Sequence, residues 1–590
     1  MKKILLLIIS VCLYISCDLD QEPVSQVGKG PVFNSEKGLE LYVNSFYDIL
    51  PSTGDLHRGD NMCDYAARVQ IPNFIRKGSY SSQQSTGWDW EDLRNVNYFI
   101  ENCNSPEVAA DVRKNYIGIA RFFRAYFYSE KIKRFGDVPW INKPLSIDDP
   151  QLNAKRDSRT LVMDSVLNDL NYAIEHIKAV KDPTSSLITK SVALAFKSRI
   201  CLFEGTFRKY HIDYNLASTA EKWLKEAESA AKELIDSDQY GLYDGKGIEG
   251  SYRELFISDK AIEKEVILAS VCSKSLGVYN DANWWWTSAT FGSRISLIRT
   301  FVNTYLKLDG TPFTSTTGYE TMTFFDEVQN RDKRLSQTIR TPGYKRINGG
   351  VITDAAPDFT YTYTGYQPIK FCLDDTYYDN GAVNDNTIPM IRYAEVLLNY
   401  AEAKAELNTL TDADWQLTIG QLRRRAGITS GLDSKPTTVD TYLQSVYFPE
   451  ISDPALLEIR RERGIELAFE GLRFPDLIRW KKGDLIKNEW NGMYIPALDT
   501  PMDLDQNGTP DVCFTQQAEV TDPIPGVVYI NVAPMRGDVD NPQLLKEKTK
   551  GEITWMTNIS KDWEDKHYLY PIPEMALIMN PNLKPQNPGW

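Results

Sequence analysis

Residues 458–480 read EIRRERGIELAFEGLRFPDLIRW. The apolar residues return at helical spacing over Pro454–Phe469 and again over Pro475–Lys481, so the stretch reads as two helices. Its charges stand three apart in the pairs Arg463/Glu466, Glu470/Arg473 and Asp476/Arg479, a spacing that lets opposite charges meet on one helix face or across a tight turn. A structural ion-pair lattice explains this pattern better than a catalytic carboxylate pair, because helix-face charges are usually solvated or paired. The stretch sets a helical frame before it says anything about chemistry.

Outward from it, helical periodicity returns at Ile391–Leu407 and Ala413–Ala426. Near the amino terminus, Leu39, Val43, Phe46 and Leu50 mark a first helix that Pro51 and Gly54 close. A long helix follows at Val112–Phe135, with Tyr116, Ala120, Phe123 and Phe127 on one stripe and Gly136 and Pro139 as its stop. Three amphipathic segments come next, at Thr160–Lys178, Lys190–Arg208 and Ala217–Ser237. Ala193, Ala195, Ala220, Ala227 and Ala230 allow close helix approach, as in tetratricopeptide-type hairpins, although the strict repeat signature is absent. The fold class expected is mainly α: a tetratricopeptide-like helical-hairpin scaffold with long irregular loop and small-strand insertions. The helical frame covers about 35–237 and 388–482, the insertions about 238–387 and 488–566, all within one domain over 35–590. Excursions of that length are usually functional or disordered.

The amino terminus addresses the chain. Lys2 and Lys3, the apolar run Ile4–Ile15 and then Ser16 and Cys17 make a secretory signal too short to span a bilayer comfortably. The pattern resembles a bacterial lipoprotein signal: residues 1–16 are removed, Cys17 carries the acyl chains and residues 17–34 form a tether. Membrane attachment is then through the lipid alone, since no later run is long and apolar enough to span.

Lys and Arg are outnumbered by Asp and Glu, giving a net charge of −14, and no predicted face concentrates basic residues. That argues against nucleic acid and in favour of neutral or polar ligands. Aromatic residues are 12% of the chain, and many fall in Gly-, Asn- and Asp-rich stretches where they can serve as stacking surfaces. Beyond Cys12 and Cys17, the six remaining cysteines form no C-x-x-C pair and no compact framework, so they read as buried thiols. The four histidines, His57, His176, His211 and His567, are far apart in sequence and give little support to metal or triad chemistry.

Four stretches carry a more specific likeness: Ala120–Pro139 (ARFFRAYFYSEKIKRFGDVP), Ile391–Ala403 (IRYAEVLLNYAEA), Glu458–Trp480 and Leu569–Trp590 (LYPIPEMALIMNPNLKPQNPGW). In this order they resemble the SusD-like (RagB/SusD) family of nutrient-binding outer-membrane lipoproteins, over essentially the whole mature chain. The resemblance implies a SusD-like fold on tetratricopeptide-like units, no enzymatic activity, and capture of a glycan at the exterior face of the outer membrane. It further implies delivery to a TonB-dependent (SusC-like) transporter. A peptide-binding member of the same family is the alternative, and a glycoside hydrolase the alternative from another class.

Candidate ligand contacts centre on Asn283–Trp286 (NWWW), flanked by Tyr279, Asp281 and Phe291. Trp284, Trp285 and Trp286 cannot all point one way on a helix or strand, so at least one is available to solvent or to a loop cluster. Either the cluster binds a sugar ring or it only packs its loop onto the helices. The loop Arg58–Arg68 (RGDNMCDYAAR) supplies Asp60, Asn61 and Tyr65 as hydrogen-bonding candidates. Trp90 starts a helical pattern continued by Leu93, Asn97 and Ile100, whereas Trp88 is placed outward as a further contact. No cofactor is required, but Asp503–Asp511 (DLDQNGTPD) matches the opening of an EF-hand-type loop. Asp503, Asp505, Asn507, Asp511 and the Thr509 carbonyl would be its calcium ligands. Phe514 stands where the bidentate Glu belongs, and a plain Asn-Gly turn explains the same residues.

Overall fold

The computed structural model describes residues 29–288 and 292–590. The expected signal peptide, Cys17, the tether as far as residue 28 and Phe291 lie outside the described residues. The remainder of the tether is not a loose strand of chain: Lys29–Phe33 is helical and Phe33 enters the core at 5% exposure.

The frame is a stack of helices: α1 (Glu36–Asn44), α2 (Glu91–Asn102), α3 (Ala110–Phe135), α4 (Arg159–His176), α5 (Lys190–Tyr210) and α6 (Ala220–Asp236). Side-chain caps set several starts, with Ser35 accepting from Gly38 N–H, Ser158 from Leu161 N–H and Thr189 from Val192 N–H. α3 packs on α4 and α5 on α6, the paired-hairpin arrangement that the alanine spacing predicts. Gly205 shows how close the second pair comes, since a Cβ there would stand 2.9 Å from the Leu224 side chain. α5 is buried on nearly every face, so it is the axis of the frame and the others wrap it.

The insertion that follows carries β1 (Val266–Ser270) and a short helix, α7 (Ala282–Thr287). β1 pairs antiparallel with β2 (Ile388–Arg392), from Val266↔Arg392 to Ser270↔Ile388. The helix expected from Ile391 therefore begins only at Tyr393, and α8 (Tyr393–Glu406) continues directly from β2. The helix expected over Ala413–Ala426 is broken at Thr418 (φ −115°, ψ −88°) into Asp412–Leu417 and Ile419–Arg425. Then come α9 (Pro454–Glu466) and α10 (Arg473–Arg479). The carboxy-terminal region builds a three-stranded antiparallel sheet in which Gly551–Trp555 lies between Gln543–Leu545 and Trp490–Ile495. One main cluster of buried apolar side chains runs from Phe33 to Tyr568. All six described cysteines are buried free thiols, and no described helix is long and apolar enough to cross a membrane.

The charges of 458–480 do form a lattice, but not the expected one. Of the three pairs read three apart, only Asp476–Arg479 closes, at 2.8 Å. Glu466 instead takes Arg392 at 2.5 Å, Arg334 at 3.0 Å and Arg425. Glu470 takes Arg392 and Lys370, both at 2.7 Å, while Arg473 crosses to Asp64 and Arg463 to Asp476. The reason is burial. α9 has no solvent face, so each of its charges is met by a neighbouring element instead of by water, and only Glu458 and Arg461 also pair within the helix, at 2.8 Å. Burial alone would raise the Glu466 pKa, but Arg425, Arg392 and Arg334 outweigh it and hold the carboxylate well below its usual range.

Candidate functional site

The frame brings the loop after α1 against α7. Gly59 touches Gly471 so closely that a Cβ on it would stand 2.5 Å from the Gly471 Cα, and Gly471 itself needs φ +77°. Asp60 locks this contact, accepting from the Tyr65 hydroxyl at 2.6 Å, from Gly471 N–H at 3.0 Å and from Arg473 N–H at 3.2 Å. Tyr65 in turn stacks on Phe301, with ring centroids 4.6 Å apart, and accepts from Phe469 N–H at 2.7 Å. Asp60 is 2% exposed and Tyr65 0%, so both are supports of the loop and not contacts for a ligand. Burial pushes the Asp60 pKa up to about 6 against those three hydrogen bonds.

α7 sorts its tryptophans by phase, successive side chains pointing about 100° apart. Trp286 turns inward, 4% exposed, lying over Phe371 and edge-on to Phe469 at 5.0 Å. Asn283 is fully buried and spends its amide on the chain: it donates to the Leu373 carbonyl and Asp379 and accepts from Leu373 N–H and Asn384. Neither has a face for a ligand. Trp284 and Trp285 are half-buried and Tyr279 is 39% exposed, so these keep surface.

Arg58 lies over the Trp285 ring at 4.2 Å and pairs with Asp281, which also accepts from His57 Nε2 at 3.0 Å. The His57 hydrogen bond, helped by Arg58, holds Asp281 down at about 2, and burial keeps His57 below its ordinary value. Asp281 is thus an anchor for the Arg58–Trp285 shelf. Beside the shelf, Arg58, Asn61, Met62, Phe474, Tyr570 and Ser52 line a cavity of about 450 Å³. Asn61 is half-buried, and its side-chain oxygen is buried with no hydrogen-bond partner.

Trp88 belongs elsewhere. It packs edge-on to Trp90 at 5.5 Å and to Phe135 at 4.9 Å, and lines a separate, largely apolar hollow of about 900 Å³ with Leu93, Ile141, Met575 and Met579. The two hollows share no lining residue. Asp503, Asp505 and Asp511 do converge, each offering an oxygen within 4.8 Å of the others. The Asn507 side chain and the Thr509 N–H are engaged within the loop, Asn507 donating to Asp505 and accepting from Thr509 N–H at 2.8 Å. Burial, then the two neighbouring carboxylates, push Asp511 up to about 6.

A family model described as SusD family matches residues 265–590. The chain belongs to the SusD family. A second model, described as starch-binding associating with outer membrane, matches residues 45–192. Among its relatives, a SusD-like protein, P2, of Formosa agariphila is 22% identical over 502 residues, covering 82% of this SusD family member and 91% of the relative. A SusD-like protein of Bacteroides ovatus is 22% identical over 533 residues, covering 84% and 87%. Among solved structures, a SusD-like protein of Bacteroides fragilis aligns at TM-score 0.68 with 22% identity, over 97% of this chain and 100% of that one. Another, titled a SusD-like carbohydrate-binding protein of the same species, aligns at 0.67 with 20% identity, over 94% and 100%. The mainly α scaffold of this SusD family member is therefore the family's fold.

Proposed function

We propose that this SusD family member is a non-enzymatic lipoprotein of the cell surface, held in the outer membrane by acylated Cys17. It binds a glycan there and passes it to a TonB-dependent, SusC-like transporter. The observation that carries this reading is family membership through models that between them span most of the chain, one of them described as starch-binding associating with outer membrane. The Arg58–Trp285 shelf supports it locally, because a flat aromatic face beside polar groups suits a sugar ring with its C–H patches between hydroxyls.

The test has two arms. Full-length protein extracted in mild detergent is expected to co-purify with a TonB-dependent barrel, and the Cys17→Ser form to lose the membrane while still folding. The soluble form lacking residues 1–17 is expected to bind on a glycan array and to release no new reducing ends from what it binds. Retention of peptides in place of glycans would move the reading to the peptide-binding branch. New reducing ends would move it to a hydrolase.

This reading includes a structural calcium at Asp503, Asp505 and Asp511, where three carboxylates that repel one another would be neutralised by a divalent ion. An ion bound by the native state alone stabilises it by about 2.7 kcal/mol at a hundredfold excess over Kd. Chelation is then expected to lower the melting temperature by roughly 1–4 °C. An identical melting curve in chelator and in millimolar calcium would leave only the Asn-Gly turn.

A further inference from the structure

Near its carboxy terminus the chain forms a short helix, α11 (Glu574–Met579), with the sequence EMALIM. Five of its six residues are apolar, yet none of its side chains is buried. Met575 and Ile578 are more than half exposed and Met579 is 76% exposed. Asn580 and Asn582 pin the helix to the turn at Pro150–Asn153, donating to the Ala154 and Asn153 carbonyls at 2.9 and 2.8 Å. Leu152 on that turn lines the 900 Å³ hollow together with Met575 and Met579. Leu145 lines it too, and two residues on, in the Ser146–Asp149 turn, Ile147 is 90% exposed, the most of any large apolar side chain among the described residues. Apolar residues exposed singly are ordinary, but a contiguous apolar surface around an apolar hollow marks a contact.

The place where the chain enters the described fold points to the partner. Lys29, the first described residue, donates to Asn102 Oδ1 at 3.1 Å and stands over the Tyr98 ring, at the end of α2. Arg94, Tyr98 and Asn102 follow one stripe of that helix at four-residue steps, and Arg94 lines the hollow. The rise from Arg94 to Asn102 is about 12 Å. Cys17 stands twelve residues before Lys29, a length of chain that spans at most about 43 Å. Acylation at Cys17 therefore holds a bilayer within reach of this face. The hollow's rim carries both signs of charge, in Arg94, Lys143 and Asp89, so the contact does not depend on anionic headgroups.

We propose that this face is a membrane-contacting surface: α11 and Ile147 dip into the lipid leaflet that holds the anchor, and lipid tails fill the hollow. Methionine side chains adapt to a fluid partner, and Trp88 and Trp90 in the hollow are of the ring type that settles at the lipid–water boundary. The inference rests on the lipid-anchored reading and adds an orientation to it. The acyl chains attach the protein, and this face decides which side lies down. Without them the face binds weakly and reversibly, so the Cys17→Ser form still leaves the membrane on washing.

Flotation of the soluble form lacking residues 1–17 with phosphatidylcholine vesicles tests the face without the anchor. The parent is expected to float in part with these neutral vesicles, little changed by added phosphatidylglycerol or salt, and its tryptophan emission to be quenched by bromine-labelled acyl chains. The triple variant Met575→Asp/Ile578→Asp/Met579→Asp is expected to lower the bound fraction about ten-fold and to lose the quenching. Circular dichroism and melting establish that it is folded. Val351→Asp/Ile352→Asp, at exposed positions of the Lys345–Asp354 hairpin, is expected to float as the parent does. No flotation of the folded parent, or equal flotation of the parent and the folded triple variant, would overturn the assignment, while the anchored, glycan-binding reading would stand or fall on its own two arms. Flotation confined to phosphatidylglycerol vesicles and abolished by salt would overturn the apolar contact. Self-association, or co-purification with a barrel, that the triple variant loses while the parent does not float would give the face to a protein partner and overturn the lipid one.

Discussion

Glu466→Ala is expected to bring the protein to the edge of unfolding or beyond it. In the native chain this carboxylate, fully buried, neutralises Arg334, Arg392 and Arg425 at once. Removing one partner of a buried ion pair typically costs about 3–5 kcal/mol, because the other charge stays behind without compensation. Here three cations lose a shared anion, against a total stability on the order of 5–15 kcal/mol. Glu470 also contacts Arg392 and Glu462 also contacts Arg334, so those two retain part of their compensation, and Glu265 retains Arg425. The loss is therefore below three full pairs and still large enough to bring the folded state near or below its threshold. The variant should appear in the insoluble fraction, or melt in urea far below the parent. A proper control is the exposed pair Lys232–Asp236, at 2.5 Å on α6, where Lys232→Ala should change stability by less than about 1 kcal/mol. A soluble Glu466→Ala protein with the parent's urea midpoint would show that the lattice is not what holds α9.

The helical frame is legible in the sequence because its information is local. Apolar stripes, Ser or Thr at the helix starts and Gly136 after α3 each act within a few residues, and the observed ends fall close to the expected ones. Where the reading departs, the cause is distant. The run Ile388–Arg392 is apolar enough for helix or strand, and only its pairing with β1, more than a hundred residues earlier, decides for strand. The lattice is legible as a lattice but not in its pairing. Spacing along one helix names partners on that helix, whereas burial of α9 hands Glu466 to arginines from three other segments.

The candidate site is legible in its ingredients and not in their directions. Three consecutive Trp guarantee that some ring differs from the others, yet only the phase of α7 against Phe371 and Phe469 assigns Trp286 to the core. Asp60 and Tyr65 have the hydrogen-bonding groups of a ligand contact in a polar loop. Their actual partners, Phe469, Gly471 and Arg473, stand some four hundred residues away, where no local pattern points. Phe474 and Tyr570 on the cavity wall escape sequence reading for the same reason. Arg58 opens the loop that the sequence marks, and its place over the Trp285 ring, more than two hundred residues away, exists only in three dimensions.

Replacing Trp284 and Trp285 together by Ala is expected to abolish measurable glycan binding while leaving the fold intact. Both rings are half-buried on α7, and Trp285 carries Arg58 on one face, so its loss removes a stacking surface and also releases the guanidinium that the ring positions. By analogy with aromatic stacking of other rings, each contributes about 1–3 kcal/mol, so the pair together represents about 2–6 kcal/mol. Even the lower end is a loss of roughly thirtyfold in affinity. Trp286→Ala is the opposite experiment. That ring is 4% exposed against Phe371 and Phe469, so its truncation should cost about 3–5 kcal/mol of stability through the cavity it leaves. Calorimetry on the double variant and a thermal melt on Trp286→Ala separate the two roles. A folded double variant that binds its glycan as the parent does would return all three tryptophans to packing, and the ligand would then have to be sought away from α7.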